Sequence, residues 1–227
     1  GFRQPRLWGD PPGFAMPDRE GMIVMLSRQD EESKIIPKEN IWDMYFWVRN
    51  VKELYEEFSL RGAKFTQELT YKDQYGNNEF IVQAPEGYTL AFGQEVEDVP
   101  GDDGTFYGET EFRHMNPVFA SQDVRRDITW YEEKLGFKKV FDSGDEPLNY
   151  AGVTRQGLFL HMQYQFPKDM WSSDLRIEVR NIQPLFQEYL NRGLVKEEAM
   201  KLNTAWGTNE FGLFDPSGNR IHFYEDI

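Results

Sequence analysis

Asp43-Met-Tyr-Phe-Trp-Val-Arg-Asn50 returns later in the chain as Asp174-Leu-Arg-Ile-Glu-Val-Arg-Asn181. Asn78-Glu79-Phe80 likewise returns as Asn209-Glu210-Phe211, and the offset is the same, since 181 − 50 and 209 − 78 are each 131. An internal repeat fixes how many times one structural unit is built, so it precedes any assignment of single elements. Alternation along the first copy sets Asp43, Tyr45 and Trp47 on one strand face and Met44, Phe46 and Val48 on the other. Both faces are partly apolar, as expected of a strand that packs on a helix and also faces a cavity.

Around the second copy the pattern is complete. Pro117-Val-Phe-Ala-Ser121 reads as a strand, and Asp123 stands in N-cap position before Val124, Ile128, Tyr131 and Leu135, which share one helix face. Gly136 ends that helix. Short strand candidates follow at 138–141, 148–153 and 158–162, separated by the turn residues Gly144, Pro147 and Gly157. A second unit then runs through a strand at 175–179, a helix at 182–191, a strand at 210–214, the turn Asp215-Pro-Ser-Gly218 and a strand at 220–224. The expected class is α+β: paired βαβββ units forming cupped, mainly antiparallel sheets around a cleft, repeated as two tandem domains.

The acidic, Gly-rich stretch 96–110 lacks an amphipathic period and reads as a linker between a first domain over 1–95 and a second over 111–227. Gly1-Phe2 matches Gly136-Phe137, Ala15 matches Ala151 and Gly21 matches Gly157, so nothing in the first domain answers to 116–135. The first domain is therefore expected to lack its first strand and helix, and the natural protein to continue upstream, because a sheet short of a strand exposes an unpaired edge.

Composition narrows the classes. With 39% hydrophobic and 15% aromatic residues in 227, the chain can fill two cores, and no apolar run approaches the roughly 18 residues of a membrane span. There is no cysteine, hence no disulfide, thiol nucleophile or thiolate ligand. Cytoplasmic location is the expectation. Against 25 Lys and Arg stand 39 Asp and Glu, and a net charge of −14 repels phosphate backbones and attracts cations. No Gly-x-Ser-x-Gly elbow or Gly-rich phosphate loop is present, and adjacent carboxylates such as Glu56-Glu57 and Glu132-Glu133 point to different helix faces.

Trp130-Tyr-Glu-Glu-Lys-Leu-Gly-Phe137 and the closing segment Trp206-Gly-Thr-Asn-Glu-Phe-Gly-Leu-Phe-Asp-Pro-Ser-Gly-Asn-Arg-Ile-His-Phe223 resemble the vicinal oxygen chelate superfamily, which includes glyoxalase I, extradiol dioxygenases and the fosfomycin and bleomycin resistance proteins. The closing segment is most similar to the bleomycin resistance branch, and Tyr75 to Phe92 repeats it in the first domain. The resemblance spans essentially the whole chain.

Metal-dependent members draw ligands from the first and last strand of each unit, and the resemblance carries those positions onto Asn116, His161, Asp174 and His222. One divalent ion such as zinc, held by His161, Asp174 and His222 in the second domain, is the alternative that follows. Asn116 is a weak neutral ligand, however, and the first domain offers only Met25, Asp43 and Ala91 at corresponding positions. The leading expectation has no metal and no cofactor. His161 and His222 then line the cleft as hydrogen-bonding groups, and His114 is solvated.

What the bleomycin resistance branch implies is binding without chemistry, in which an acidic protein sequesters a small molecule, with cationic aromatic drugs one candidate class. Asn116, His161, Asp174, His222, Trp206, Tyr164, Asp43, Tyr45 and Trp47 are the expected ligand-binding residues, and the two domains pair within the chain or the chain forms a homodimer. The first alternative is a metal-dependent lyase or dioxygenase of the glyoxalase type. The second is a non-catalytic interaction module.

Overall fold

The structure, a computed structural model, describes residues 2–3, 5–19, 21–28, 42–96 and 111–227. Gly1 and, apart from Val96, the stretch expected as a linker lie outside the described residues. The chain divides into two compact units, Gly1–Asn116 and Pro117–Ile227, of α+β class with mixed, mainly antiparallel sheets. The division falls inside a strand, later than the composition shift at 111. Among the described residues no helix is long and apolar enough to cross a membrane.

Unit 1 opens with five short strands: β1 (Arg6–Trp8), β2 (Phe14–Met16), β3 (Asp18–Arg19), β4 (Met22–Ile23) and β5 (Leu26–Ser27), in the small antiparallel sheets β1-β2-β5 and β3-β4. It continues with β6 (Met44–Arg49), α1 (Val51–Leu60), β7 (Phe65–Lys72), β8 (Asn77–Gln83) and β9 (Thr89–Glu95). These strands run in the order β6-β9-β8-β7, with β6 parallel to β9 and the other pairs antiparallel. One sheet face is apolar: Phe46, Phe80 and Phe92 are fully buried and meet Val51, Leu54, Tyr55 and Phe58 of α1. Phe46 and Phe80 each stack on Phe92, with centroids 4.8 and 5.1 Å apart. Truncating any of the three to Ala costs about 3–5 kcal/mol, the usual cavity penalty.

Unit 2 contains β10 (Glu111–Ser121, which the division crosses), α2 (Val124–Leu135), β11 (Lys138–Asp142), β12 (Tyr150–Arg155) and β13 (Leu158–Tyr164), ordered β11-β12-β13-β10 with β10 parallel to β13. Then come β14 (Asp174–Glu178), α3 (Ile182–Asn191), β15 (Thr208–Phe214) and β16 (Arg220–Asp226), ordered β14-β16-β15 with β14 parallel to β16. The strand that a full βαβββ unit would place between α3 and β15 shrinks to one bridge, Lys201 to Glu210. Lys196-Glu197-Glu198 stands there in place of alternating apolar residues, and a 3-10 turn at Glu197–Ala199 takes up the chain.

Local chemistry explains the ends of these elements. Asp123 caps α2 by accepting from the Arg126 amide at 2.9 Å, and Gly136 closes it at φ 72°, a left-handed geometry that only Gly adopts freely. The repeat extends to backbone shape, because Asn50 and Asn181 precede α1 and α3 at φ 55° and 57°. It extends also to capping from a distant strand. Gln94 Oε1 accepts from the Val51 amide at 3.0 Å, and Glu225, 131 residues after Gln94, accepts from the Ile182 amide at 3.3 Å.

The closing turn is a polar clasp. Asp215 accepts from the amides of Ser217 and Asn219 at 2.9 and 2.8 Å and from the Tyr131 hydroxyl of α2 at 3.1 Å. Asp127 of α2 accepts from the hydroxyls of Ser121 and Ser217. The Asp-Pro-Ser-Gly-Asn segment therefore serves to tie the hairpin of the second sheet to α2 of the first.

Candidate functional site

Strand register assigns the sheet face turned away from α1. On β6 that face carries Tyr45 and Trp47, which pair with Ala91 and Gly93 of β9, while Ile81 and Glu79 of β8 lie opposite the same two β9 residues. Tyr45 lies over Gly93, where a Cβ would stand 1.9 Å from its hydroxyl oxygen. That hydroxyl donates to Glu79 at 3.0 Å and accepts from Asn77 at 3.2 Å. Burial and the Glu79 charge push its pKa far above the ordinary tyrosine value, so it stays a donor. Rings continue on both sides of it: Trp42 at 5.8 Å, Trp47 at 5.0 Å and, from Trp47, His114 at 5.8 Å. With its amide oriented to suit its neighbours, Asn116 accepts from Trp47 Nε1 at 3.1 Å and donates to the Met115 carbonyl at 3.3 Å. Asn116, Tyr45 and Trp47 thus come together in unit 1. Asp43 is turned to the backbone and accepts from the Thr89 amide at 2.8 Å.

In unit 2 the corresponding face of β14-β16-β15 is filled by charge. Arg176 donates to Glu210 at 3.0 Å and lies over the Tyr224 ring at 4.8 Å from its centroid. Glu210 also accepts from Trp206 Nε1 at 3.1 Å and Thr208 at 3.2 Å, which leaves the indole of Trp206 pinned yet 65% exposed. Burial pushes the Glu210 carboxyl up, but the bonds from Arg176 and Trp206 outweigh it and hold the group below its usual range. Asp174 is bound by Arg220 through 2.9 Å from Nε. His222 packs on Gly212, whose missing Cβ would meet the ring at 3.2 Å, and its Nε2 is buried with no hydrogen-bond partner among the described residues. The nearest oxygen of Asp174 is 4.0 Å from that nitrogen. Burial first, then the Arg220 and Arg176 charges, depress the His222 pKa.

His161 belongs to the other sheet of unit 2. It is 5% exposed, its Nδ1 stands 2.7 Å from the Tyr150 hydroxyl, and Phe141 meets its ring edge-on at 5.3 Å over the bare Gly152. Tyr164, three residues on, takes the opposite strand face and packs on the apolar core.

A divalent ion needs at least three converging donors. Among the described residues no three His, Cys, Asp or Glu side chains form such a group. His161 is on β13 and Asp174 and His222 are on β14 and β16, in different sheets. As described, Asn116, His161, Asp174 and His222 do not gather the three donors that a metal centre needs. What sequence reasoning overlooked is the pair of buried carboxylates, Glu79 and Glu210, although the repeated Asn-Glu-Phe carried the signal.

A family model described as glyoxalase superfamily protein matches residues 101–227. A comparison with curated proteins found no match. Among solved structures, the V278E mutant of glyoxalase I from Zea mays is similar over 99% of this chain and 83% of its own, at 14% identity and a TM-score of 0.69. A bleomycin-binding protein from Streptomyces verticillus, complexed with copper(II)-bleomycin, is similar over 52% of this chain and 95% of its own, at 28% identity and a TM-score of 0.40. Matched over more than half its length by the family model and over nearly all of it by a glyoxalase I in fold, the chain belongs to the glyoxalase, bleomycin resistance and dioxygenase superfamily.

Proposed function

We propose that the protein binds and sequesters a flat small molecule on a sheet face lined by aromatic rings, and that it does so without metal chemistry. The observation that carries this reading is the row Trp42, Tyr45, Trp47 and His114, ring against ring at 5.8, 5.0 and 5.8 Å, on the sheet face turned away from α1, where Tyr45 is buried between the half-buried Trp42 and Trp47 and His114 is exposed. Stacking on such rings needs no catalytic group. Three of the four side chains at the positions from which metal-dependent relatives would draw ligands have other engagements, Asn116 with Trp47, His161 with Tyr150 and Asp174 with Arg220, and the fourth, His222, stands 4.0 Å from Asp174. The pinned, exposed indole of Trp206 is a second stacking surface.

Ligands that bind only the native state raise its stability, by about 2.7 kcal/mol at a hundredfold excess over Kd. A panel of flat aromatic compounds, cationic and neutral, is expected to contain members that raise the melting temperature and quench tryptophan emission, with both effects reduced by Trp47→Ala. A panel without a single stabilising compound would sink the reading. So would stoichiometric zinc, nickel, manganese or iron in the purified protein that is lost in His161→Ala or His222→Ala.

A further inference from the structure

Glu79 and Glu210 stand at equivalent places in the repeat but are neutralised to different degrees. Glu210 has a guanidinium in contact at 3.0 Å. Glu79 is 0% exposed and, among the described residues, receives only neutral donors, Tyr45 at 3.0 Å and Gln67 at 3.4 Å, and has its nearest cation, Lys72 Nζ, 3.9 Å from Oε1. The ammonium gives its short hydrogen bond elsewhere, to Gln67 Oε1 at 2.7 Å. A carboxylate taken out of water is costly without a cation in contact, so this one is under-compensated. Lys72 sits on the edge strand β7 with its side chain 26% exposed, on a stem with four rotatable bonds. It can swing out to water.

Resting on the ligand-binding reading above, we infer that Glu79 is the counter-charge for a ligand ammonium, that Lys72 holds that place until it is displaced, and that the half-buried Trp42 and Trp47, on either side of the buried Tyr45, receive the attached ring. The ligand class is an arylalkylamine, a flat ring carrying a primary or secondary ammonium a few bonds away. The rings beside the carboxylate also attract the cation through their faces. Unit 2 has no such preference, because Arg176 already occupies the charge of Glu210.

Tryptamine and its neutral isostere tryptophol test this by calorimetry on the full chain. Tryptamine is expected to bind about tenfold more tightly than tryptophol, with the difference erased in Glu79→Gln. Lys72→Ala, which removes the internal competitor, is expected to tighten tryptamine several-fold and leave tryptophol unchanged, whereas Lys64→Ala, an exposed lysine near the same strand, changes neither appreciably. Equal affinities for the two indoles, or tryptamine binding that Lys72→Ala weakens, overturn the inference and leave the binding reading standing. Failure of both indoles to bind also overturns it, and the wider panel then decides whether the binding reading falls too. Each variant's melting temperature is compared with the parent, and Lys72→Ala keeps the question open to refutation if Glu79→Gln does not fold.

Discussion

The second half of unit 1 and the second half of unit 2 each place a carboxylate at the equivalent point of its own sheet and satisfy it in two different ways. At the offset of 131, Tyr45 answers to Arg176, Glu79 to Glu210 and Gly93 to Tyr224. In unit 1 a tyrosine lies over a glycine and donates its hydroxyl to the acid. In unit 2 an arginine lies over a tyrosine and brings a full charge to it. The two faces differ in volume as well as in charge, since one large side chain over a glycine answers to two large side chains. The lesson is that a duplicated scaffold keeps its strands and its acid and lets the groups around that acid diverge, which is where two ligand preferences can arise.

The largest test of this comparison concerns the ion pair. Arg176→Met strands Glu210, whose side chain is only 6% exposed, and is expected to lower stability by about 3 kcal/mol. Lys72→Met in unit 1, removing a cation that stands 3.9 Å from its acid and bonds Gln67 instead, is expected to cost less than Arg176→Met. Urea denaturation of both variants measures the contrast, and equal losses would erase it. The next effect is steric. Gly93→Ala drives a methyl into the buried Tyr45 ring and should cost about 2 kcal/mol, a penalty that disappears in a Tyr45→Ala background. Gly212→Ala, where the His222 ring stands off at 3.2 Å, is expected to be milder. A Gly93→Ala penalty that persists without Tyr45 would show that the close approach is not its cause.

Much of the fold was legible because it rests on local chemistry. Asp123 and Gly136 bound α2 where capping rules put them, and alternation sorted Tyr45 and Trp47 from Phe46 and Val48. One departure was not legible: between α3 and β15 the strand of a full βαβββ unit is replaced by the Lys201 bridge. The candidate site was less legible. Periodicity gives the face of a residue but not its neighbour on the next strand, so the Tyr45–Glu79 and Arg176–Glu210 contacts were hidden. His161 and His222 both occupy strands that end their βαβββ units, yet strand order sends them to different sheets, and no local pattern encodes strand order. Tyr164 stands three residues from His161, and that odd spacing turns it to the opposite strand face, where it packs half-buried against the core. The informative move would have been to extend the offset of 131 one strand further, where Gly93 meets Tyr224 and Gln94 meets Glu225.

The smallest effect distinguishes the two faces by pH. Position 222 holds a histidine where unit 1 has Ala91, and burial with the Arg220 and Arg176 charges lowers its pKa in the folded protein, against an opposing pull from Asp174. The unfolded chain titrates near the ordinary value of about 6.5. Below that pH the unfolded state takes up a proton that the folded state resists, so the stability linked to His222 is complete above about pH 6.5 and declines as pH falls toward the depressed folded value. In His222→Gln the group cannot titrate, and the drop in melting temperature between about pH 7.5 and pH 5.5 should shrink. Asp215, whose pKa burial raises, has the opposite slope, its stabilising share being lost as pH rises through its folded value, but it is present in both proteins and cancels in the difference. An unchanged drop would mean that neither burial nor the arginines beside His222 govern its proton. The charge on the unit 2 face would then be a matter of ion pairs alone.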